Sequence, residues 1–537
     1  MSESFVILLP QTILAVCACL FILGGTFPIP ARSWGPLSLG AIVLSGIALA
    51  YTSGQVISTT ALPAVDPTSL DTVVLWGTLL VGGLFVLTAM GSQSQSQTAA
   101  EFYGLLLLLL SGVMLVAVAR DLILIFLSLE LISIPTYVLL YLGRRDNPNQ
   151  EAATKYFLLS VLSAAVLLYG FAFLYGLTGS TRLDAIRGVL EIAYRTSNGA
   201  APATGSTLGI IALVLIVAGL GFKIAAVPFH FYAPDVYEGT SAFNAGLLAV
   251  MPKLAGFVAL IHIASQSLVG FETTGQQLAL ILAAITMTGG NCLALLQTNI
   301  RRMLAYSSIA HAGYMLIGLA VGFWETWNQQ IGLDAAADSG LMGLPGGVRA
   351  SLLYLLAYSL TSVGLFAALV YLARPGKQID HIDELTGLAK NQPIVATAIA
   401  IFLFSLAGIP PLPGFWAKLS VFASALSVRQ EVTGGAFAAH PAFVWLAVIG
   451  ALNAAIGGVY YLRMIALMFL NDPLSSARPA GGRPAFVAVV CSALLVVGFG
   501  LAPRPVFDSL QKIKDDPTAN TVQLNAKDAP SVVAAER

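Results

Sequence analysis

Four ionisable side chains stand where an apolar sequence has least room for them. Glu130 lies inside "LIFLSLELISIPTY", Lys223 inside "GLGFKIAAVPFHFYAPDVYEG", Lys253 inside "LLAVMPKLAGF" and Lys418 inside "LAGIPPLPGFWAKL". A charge at the centre of a hydrocarbon slab costs about 2.5–3.5 kcal/mol on insertion scales, so leucine would be cheaper at every one of these positions. The chemistry such groups supply is proton binding and release. Burial disfavours the charged form of a lysine and a nearby carboxylate restores it, so a lysine whose partner approaches or withdraws exchanges a proton near neutral pH. Glu130 is the only acidic residue that the sequence places deep in an apolar run.

Other ionisable residues are less telling. His230, His262, His311 and Arg463 fall within or near apolar runs, and Lys155 stands at the entrance of one. His262 reads as a core histidine and Arg463 as a side chain that snorkels to lipid headgroups. Lys155 reads either as snorkelling or as drawn inward.

A proton carrier needs water, and water needs an interrupted helix. Gly219 and Gly221 precede Lys223, and Pro228 follows it. Residues 393–427 would make a single helix of about 50 Å, longer than a membrane requires. The middle of that stretch holds Gly408, Pro410, Pro411, Pro413 and Gly414, which cannot continue a regular helix. Irregular backbone at membrane depth is tolerated only within protein or beside a water-filled cavity. Discontinuous helices beside a charge are a transporter device.

These residues need a scaffold, and the composition says which kind. Of the 537 residues, 57% are hydrophobic and 10% charged, whereas soluble domains carry roughly 25% charged residues. Lipid is therefore the expected solvent. The formal net charge is zero and there is no basic run suited to nucleic acid. Apolar stretches near 4–23, 34–51, 70–90, 102–119, 121–141, 155–177 and 207–231 predict the first seven spans. Those near 242–265, 277–297, 303–322, 348–373, 393–427, 443–470 and 484–502 predict seven more. The fold class is all-α and polytopic, with about fourteen transmembrane helices. The N-terminal stretch has no basic n-region and reads as the first span rather than a cleaved signal. Cys17, Cys19, Cys292 and Cys491 all fall in apolar runs and read as buried and inert. Loops after odd-numbered spans carry more basic residues, which puts them on the cytoplasmic side and both termini outside.

A weak internal repeat runs through the chain. Arg120 precedes Glu130 by ten residues, and Arg301 precedes His311 by ten. Lys223 follows "GF" directly, and Lys418 follows "GF" after two more residues. Five spans separate the members of each pair, so the two copies have opposite orientation. The expected architecture is two inverted five-helix repeats, each with a discontinuous helix. The expected divisions are a three-helix segment (1–101), a first repeat (102–270), a second repeat (271–470), a last helix (471–502) and a polar, disordered tail (503–537).

The segments "LSLELISIPTYVLLY", "EAATKYFLLS", "GFKIAAVPFHFYAPDVYEG", "RRMLAYSSIAHAGYM" and "AGIPPLPGFWAKLSVF" together resemble the antiporter-like membrane subunits of respiratory complex I, the bacterial NADH–quinone oxidoreductase. The resemblance spans about residues 100 to 470. "PFHFYAPDVYEG" is similar to the subunit N branch, where sister branches usually read "PFHTWLPDA". The sequence departs from the pattern of that branch at Pro252, which adjoins Lys253 instead of following "YEG" closely. The resemblance implies that Glu130 pairs with Lys223, the central protonatable residue. It implies that Lys253 and His230 relay protons, that Lys418 serves the second half-channel, and that Lys155 is a second partner near Glu130. It implies no cofactor in this chain; NADH, FMN, iron–sulfur clusters and quinone belong to partner subunits. Partners would be the other membrane subunits, including the sister antiporter-like ones, in the inner membrane of a bacterium. A subunit of a multisubunit sodium/proton antiporter is the alternative, and a purely structural spacer a third reading.

Overall fold

A computed structural model describes residues 6–53, 69–93, 96–144, 146–196, 203–330, 344–373, 378–432, 436–473 and 481–511. Nineteen α-helices make up nearly all of these. The first three, α1 (Leu9–Gly24), α2 (Ala31–Ser53) and α3 (Ser69–Ser92), form the N-terminal segment. The stretch expected as the first repeat comprises α4 (Ala99–Val118), α5 (Leu122–Gly143), α6 (Asn147–Thr178), the surface helix α7 (Leu183–Thr196), α8 (Ala203–Ile224), the short α9 (Tyr232–Gly239) and α10 (Ala242–Gln266). The second comprises α11 (Glu272–Leu295), α12 (Ile300–Gln330), α13 (Gly347–Leu372), the short α14 (Leu388–Asn391), α15 (Pro393–Ala407), α16 (Pro413–Ser427) and α17 (Pro441–Leu470). Last come α18 (Gly482–Leu501) and α19 (Arg504–Gln511).

Twelve of these helices are long and apolar enough to cross a membrane. The other two of the about fourteen spans expected fall on shorter apolar helices, the 16-residue α1 and the broken pair α15–α16, so the expected count holds only approximately. The helix ends follow from capping chemistry. Asp121 accepts from the backbone N–H of Ile123 (2.8 Å) and opens α5. Asp146 caps α6, and Ser241 accepts from Asn244 N–H at 3.2 Å to open α10. Gly179, with φ of 68°, closes α6 in the left-handed conformation. α10 runs unbroken through Pro252, so the departure at that residue leaves the helix carrying Lys253 intact.

Burial orders the helices. The apolar windows of α10 and α12 are buried throughout and that of α13 nearly so, whereas those of α17 and α18 are one-third buried. The outer helices turn large apolar side chains outward, among them Leu162, Tyr169, Trp445 and Leu494. In lipid this is the favourable arrangement, because hydrocarbon solvates apolar surface and the interior need not be the more apolar place. The same logic corrects the reading of the cysteines. All four are free, but Cys19 and Cys292 are exposed and Cys17 and Cys491 only partly covered. An apolar run in a membrane helix has a lipid face as well as a protein face.

Both interruptions are Schellman turns. α8 ends where Ala225 N–H donates to Phe222 O (3.0 Å) and Ala226 N–H to Gly221 O (2.8 Å). α15 ends where Gly408 N–H donates to Ser405 O and Ile409 N–H to Phe404 O, each at 3.0 Å. The left-handed residue is Ala225 (φ 58°) in one and Gly408 (φ 87°) in the other. Each turn is followed by a cis X–Pro peptide, Val227–Pro228 and Pro410–Pro411. Pro413 is the first residue of α16, where a missing N–H is harmless.

Three expectations change here. The helix of the seventh span stops at Ile224 rather than 231. Gly221 lies within that helix and not at its break; a Cβ there would stand 2.8 Å from Phe229, so the glycine admits the ring that folds back after the turn. The two "GF" lysines are not repeat equivalents. Lys223 stands two residues before Ala225, matching Leu406 before Gly408, and Lys418 stands ten after Gly408, matching Asp235. One lysine precedes its break and the other follows it.

The chain past Pro503 begins with a helix. In α19, Phe507 and Leu510 are buried, and Phe507 meets Trp416 edge-on at 6.1 Å. The rest of the tail, 512–537, lies outside the described residues.

Candidate proton pathway

The last turn of α8 holds the Lys223 ammonium against α5 and α6. Its Nζ donates to Ser133 Oγ (2.6 Å) and Ser160 Oγ (2.9 Å) and lies 4.0 Å from Glu130 Oε1. Tyr137 donates its hydroxyl to the same Ser160 Oγ at 2.9 Å. The carbonyl end of α8 adds a favourable dipole for a cation. Lys223 is buried, while the Glu130 side chain keeps 22% of its surface. A charge pair at 4 Å is worth about 4 kcal/mol at an effective dielectric of 20. The expected Glu130–Lys223 pairing is thus a close ion pair just outside direct hydrogen-bond range.

Lys253 has no carboxylate within salt-bridge distance among the described residues. Its Nζ donates to the carbonyl and, at 2.5 Å, to the hydroxyl of Ser308 on α12. It lies 5.0 Å from the centroid of the Tyr358 ring. Tyr358 donates to the same Ser308 hydroxyl at 2.8 Å. Gly256, one turn beyond Lys253, lets α10 approach α8: a Cβ there would stand 3.2 Å from Lys223 Cβ.

Lys418 closes the interrupted span. Its Nζ, on α16, donates to the carbonyls of Leu406 and Ala407 at the end of α15, at 2.9 Å each. Those carbonyls have no partner within the helix, and the helix dipole there favours a cation. The ammonium also lies 5.1 Å from the Tyr314 ring centroid.

His311 stands between the last two lysines. Its Nδ1 is 2.7 Å from Tyr354 Oη and its Nε2 is 3.0 Å from Tyr461 Oη. Its ring approaches that of Tyr358 at 5.1 Å and that of Tyr314 at 5.9 Å. Tyr461 in turn bonds Ser307 Oγ at 2.5 Å. A neutral imidazole offers one donor and one acceptor, and hydroxyls can answer both. Lys253, Ser308 and Tyr358 thus form one hydrogen-bonded group and His311 with Tyr354 another, joined by the Tyr358–His311 ring contact. The Tyr314 ring, stacked on Tyr354 at 6.0 Å, leads on to Lys418; together they make a buried polar and aromatic file through α10, α12, α13 and α16.

The structure does not bring every expected residue to this file. His230 is half-buried on the turn between exposed Pro228 and Phe231, and among the described residues no hydrogen bond joins it to the lysines. Lys155 pairs with Glu151 (2.6 Å) and Asp235 (3.4 Å), not with Glu130. Asp235 also receives Arg302 at 2.9 Å, and Arg302 reaches Glu238 at 2.7 Å. This surface network joins α6, α9 and α12 at one end of the bundle.

The sequence reading missed Ser133, Ser160 and Ser308. Ser133 stands three residues after Glu130 on one helix face, a signal that was available. It also missed a second buried charge cluster. Asp71 is fully buried, pairs with Arg120, and its Oδ1 is 3.4 Å from His262 Nε2. His262 also lies 2.9 Å from Ala117 O, consistent with a core histidine.

Residues 119–333 and 339–458 match the family described as "NADH:quinone oxidoreductase/Mrp antiporter, TM". A protein of Trichlorobacter lovleyi named NADH-quinone oxidoreductase subunit N is 36% identical over 470 residues, 87% of each chain. Its namesake from Chloroflexus aggregans is 34% identical over 513 residues, 94% of this chain and 96% of the other. A chain of respiratory complex I from Thermus thermophilus superposes with a TM-score of 0.72 at 30% identity, covering 93% of this chain and 99% of that one. A chain of the Mrp complex from Dietzia gives 0.76 at 20% identity, covering 97% and 99%, a likeness of fold. With a matched region of that extent and relatives alike over nearly their whole length, the chain belongs to the family of NADH:quinone oxidoreductase/Mrp antiporter membrane subunits.

Proposed function

We infer that this chain is a subunit N-type, proton-translocating membrane subunit of an NADH–quinone oxidoreductase. The observation that carries the reading is the close Glu130–Lys223 pair beside a buried polar and aromatic file from Lys253 to Lys418, whose lysines have no carboxylate within salt-bridge distance among the described residues. Glu130 holds Lys223 protonated while the two are paired. Its neutralisation or withdrawal leaves the ammonium with serine hydroxyls alone, which favours release of the proton. Lys253, His311 and Lys418 receive it in turn. Residues 102–270 supply the first half-channel and 271–470 the second. His230 and Lys155 take part through water or through movement of the helix break.

Moving one charge against 150 mV costs roughly 3.5 kcal/mol, so the driving energy comes from redox chemistry elsewhere. This chain carries no redox site of its own in this reading. NADH, FMN, iron–sulfur clusters and quinone are handled by partner subunits, and the sister antiporter-like subunits flank it in the inner membrane of a bacterium. Sodium/proton antiport is the second reading; the Mrp likeness supports its fold, and "PDVYEG" (residues 234–239) speaks for the first.

The test is Lys223→Ala in the complete complex, reconstituted in vesicles. NADH-driven acidification per NADH oxidised should fall, with assembly retained. Unchanged pumping in the assembled variant would overturn the reading in favour of a spacer. Sodium-dependent proton flux without NADH would favour the antiporter.

A further inference from the structure

The turn that carries Lys223 is held from outside its own repeat. The Schellman turn satisfies the N–H groups of Ala225 and Ala226, and Pro228 has none. Val227 N–H is left between them. It donates to Thr286 Oγ1 on α11 at 3.1 Å. Thr286 is fully buried in the second repeat, fifty-nine residues along the chain. Gly289, three residues further on the same face, also faces this turn: a Cβ there would stand 3.6 Å from Val227 Cγ2.

The second break needs no such partner. Val227 stands two residues after Ala225, and the residue two after Gly408 is Pro410, which has no N–H. The first break therefore presents a donor that the second lacks, and a side chain from the opposite repeat receives it. The turn is also the less relaxed of the two by residue type, with alanine rather than glycine in the left-handed position. An unanswered N–H at this depth would pull the turn toward water or toward another carbonyl. Lys223 is only four residues away, on the last turn of α8.

We propose that Thr286 is a positioning residue of the first proton site. It fixes the turn at Val227, and through it the seat of the Lys223 ammonium between Ser133, Ser160 and Glu130. The second repeat thereby sets the geometry of the proton carrier of the first. This rests on the assignment of Lys223 as a proton carrier.

The experiment compares Thr286→Val, Thr286→Ala and Thr286→Ser in the intact complex, with Lys223→Ala beside them. Valine keeps the shape and removes the acceptor; serine keeps the acceptor. Protons pumped per NADH should fall about twofold or more in the valine and alanine variants and recover in the serine variant. Wild-type pumping in Thr286→Val, or an equal loss in Thr286→Ser, would overturn the proposal. Loss of assembly in both the valine and alanine variants would assign Thr286 to folding and overturn it likewise. If Lys223→Ala abolishes pumping while Thr286→Val leaves it intact, only this inference fails. If Lys223→Ala pumps normally, the function itself fails.

Discussion

The three buried lysines are not equivalent, and their partners say how each should respond to substitution. Lys223 has a carboxylate and two hydroxyls, Lys253 a serine and an aromatic face, Lys418 two helix-end carbonyls and an aromatic face. Only the first can be switched by a change of charge on its partner. Glu130→Gln keeps the volume and removes about 4 kcal/mol of pairing. It should cut pumping per NADH by more than half in reconstituted vesicles. Ser133→Ala should do less harm, since Ser160 and Glu130 remain; an equal loss in both would mean that hydroxyls, not charge, hold the proton. Glu130 and the lysines were legible in the sequence because ionisable groups are rare in apolar runs. Ser133, three residues after Glu130, was within reach of the same reading, but the other serines and the tyrosines that join them were not. Serine and tyrosine are ordinary residues of membrane helices, and their value here depends on which helices face each other.

At the scale of the element, the breaks matter more than the residues that first suggested them. Glycines and prolines around 219–228 and 408–414 correctly marked two interrupted spans. They did not say where the chain turns, because Gly219 and Gly221 are consumed by packing: a Cβ at Gly219 would stand 2.7 Å from Leu167 Cβ. The residue that turns left-handed in the first break is an alanine, invisible to any composition rule. Gly408 is the opposite case, legible and needed twice. Its φ of 87° disfavours a side chain, and a Cβ would stand 2.9 Å from Lys418 Cδ. Gly408→Ala should therefore strain the turn by about 1–2 kcal/mol and push the ammonium from the Leu406 and Ala407 carbonyls. Assembly should survive and pumping should fall; normal pumping in the assembled variant would show that Lys418 works without those carbonyls.

The whole molecule shows why span counting came close where pairing could not. Length and hydropathy bring the number of spans near, about fourteen expected against twelve long apolar helices among the described residues, but do not say which helices meet. Asp71 and Arg120 stand 49 residues apart at the mouths of different helices, and each alone looks like a loop or end charge. Folded, they form an ion pair buried against His262, tying α3 of the N-terminal segment to the α4–α5 connection and to α10. α10 also carries Lys253, so this tie fixes the helix on which a proton carrier rides. Removing one member of such a pair leaves an uncompensated charge and costs about 3–5 kcal/mol, whereas removing both leaves none. Asp71→Asn should reduce the amount of assembled complex, and Arg120→Gln should do the same. The double variant should recover part of the loss, a coupling that a double-mutant cycle on thermal stability of the solubilised complex would measure. Additive losses would mean that the two side chains act separately, and that the N-terminal helices are held to the first repeat by apolar packing alone.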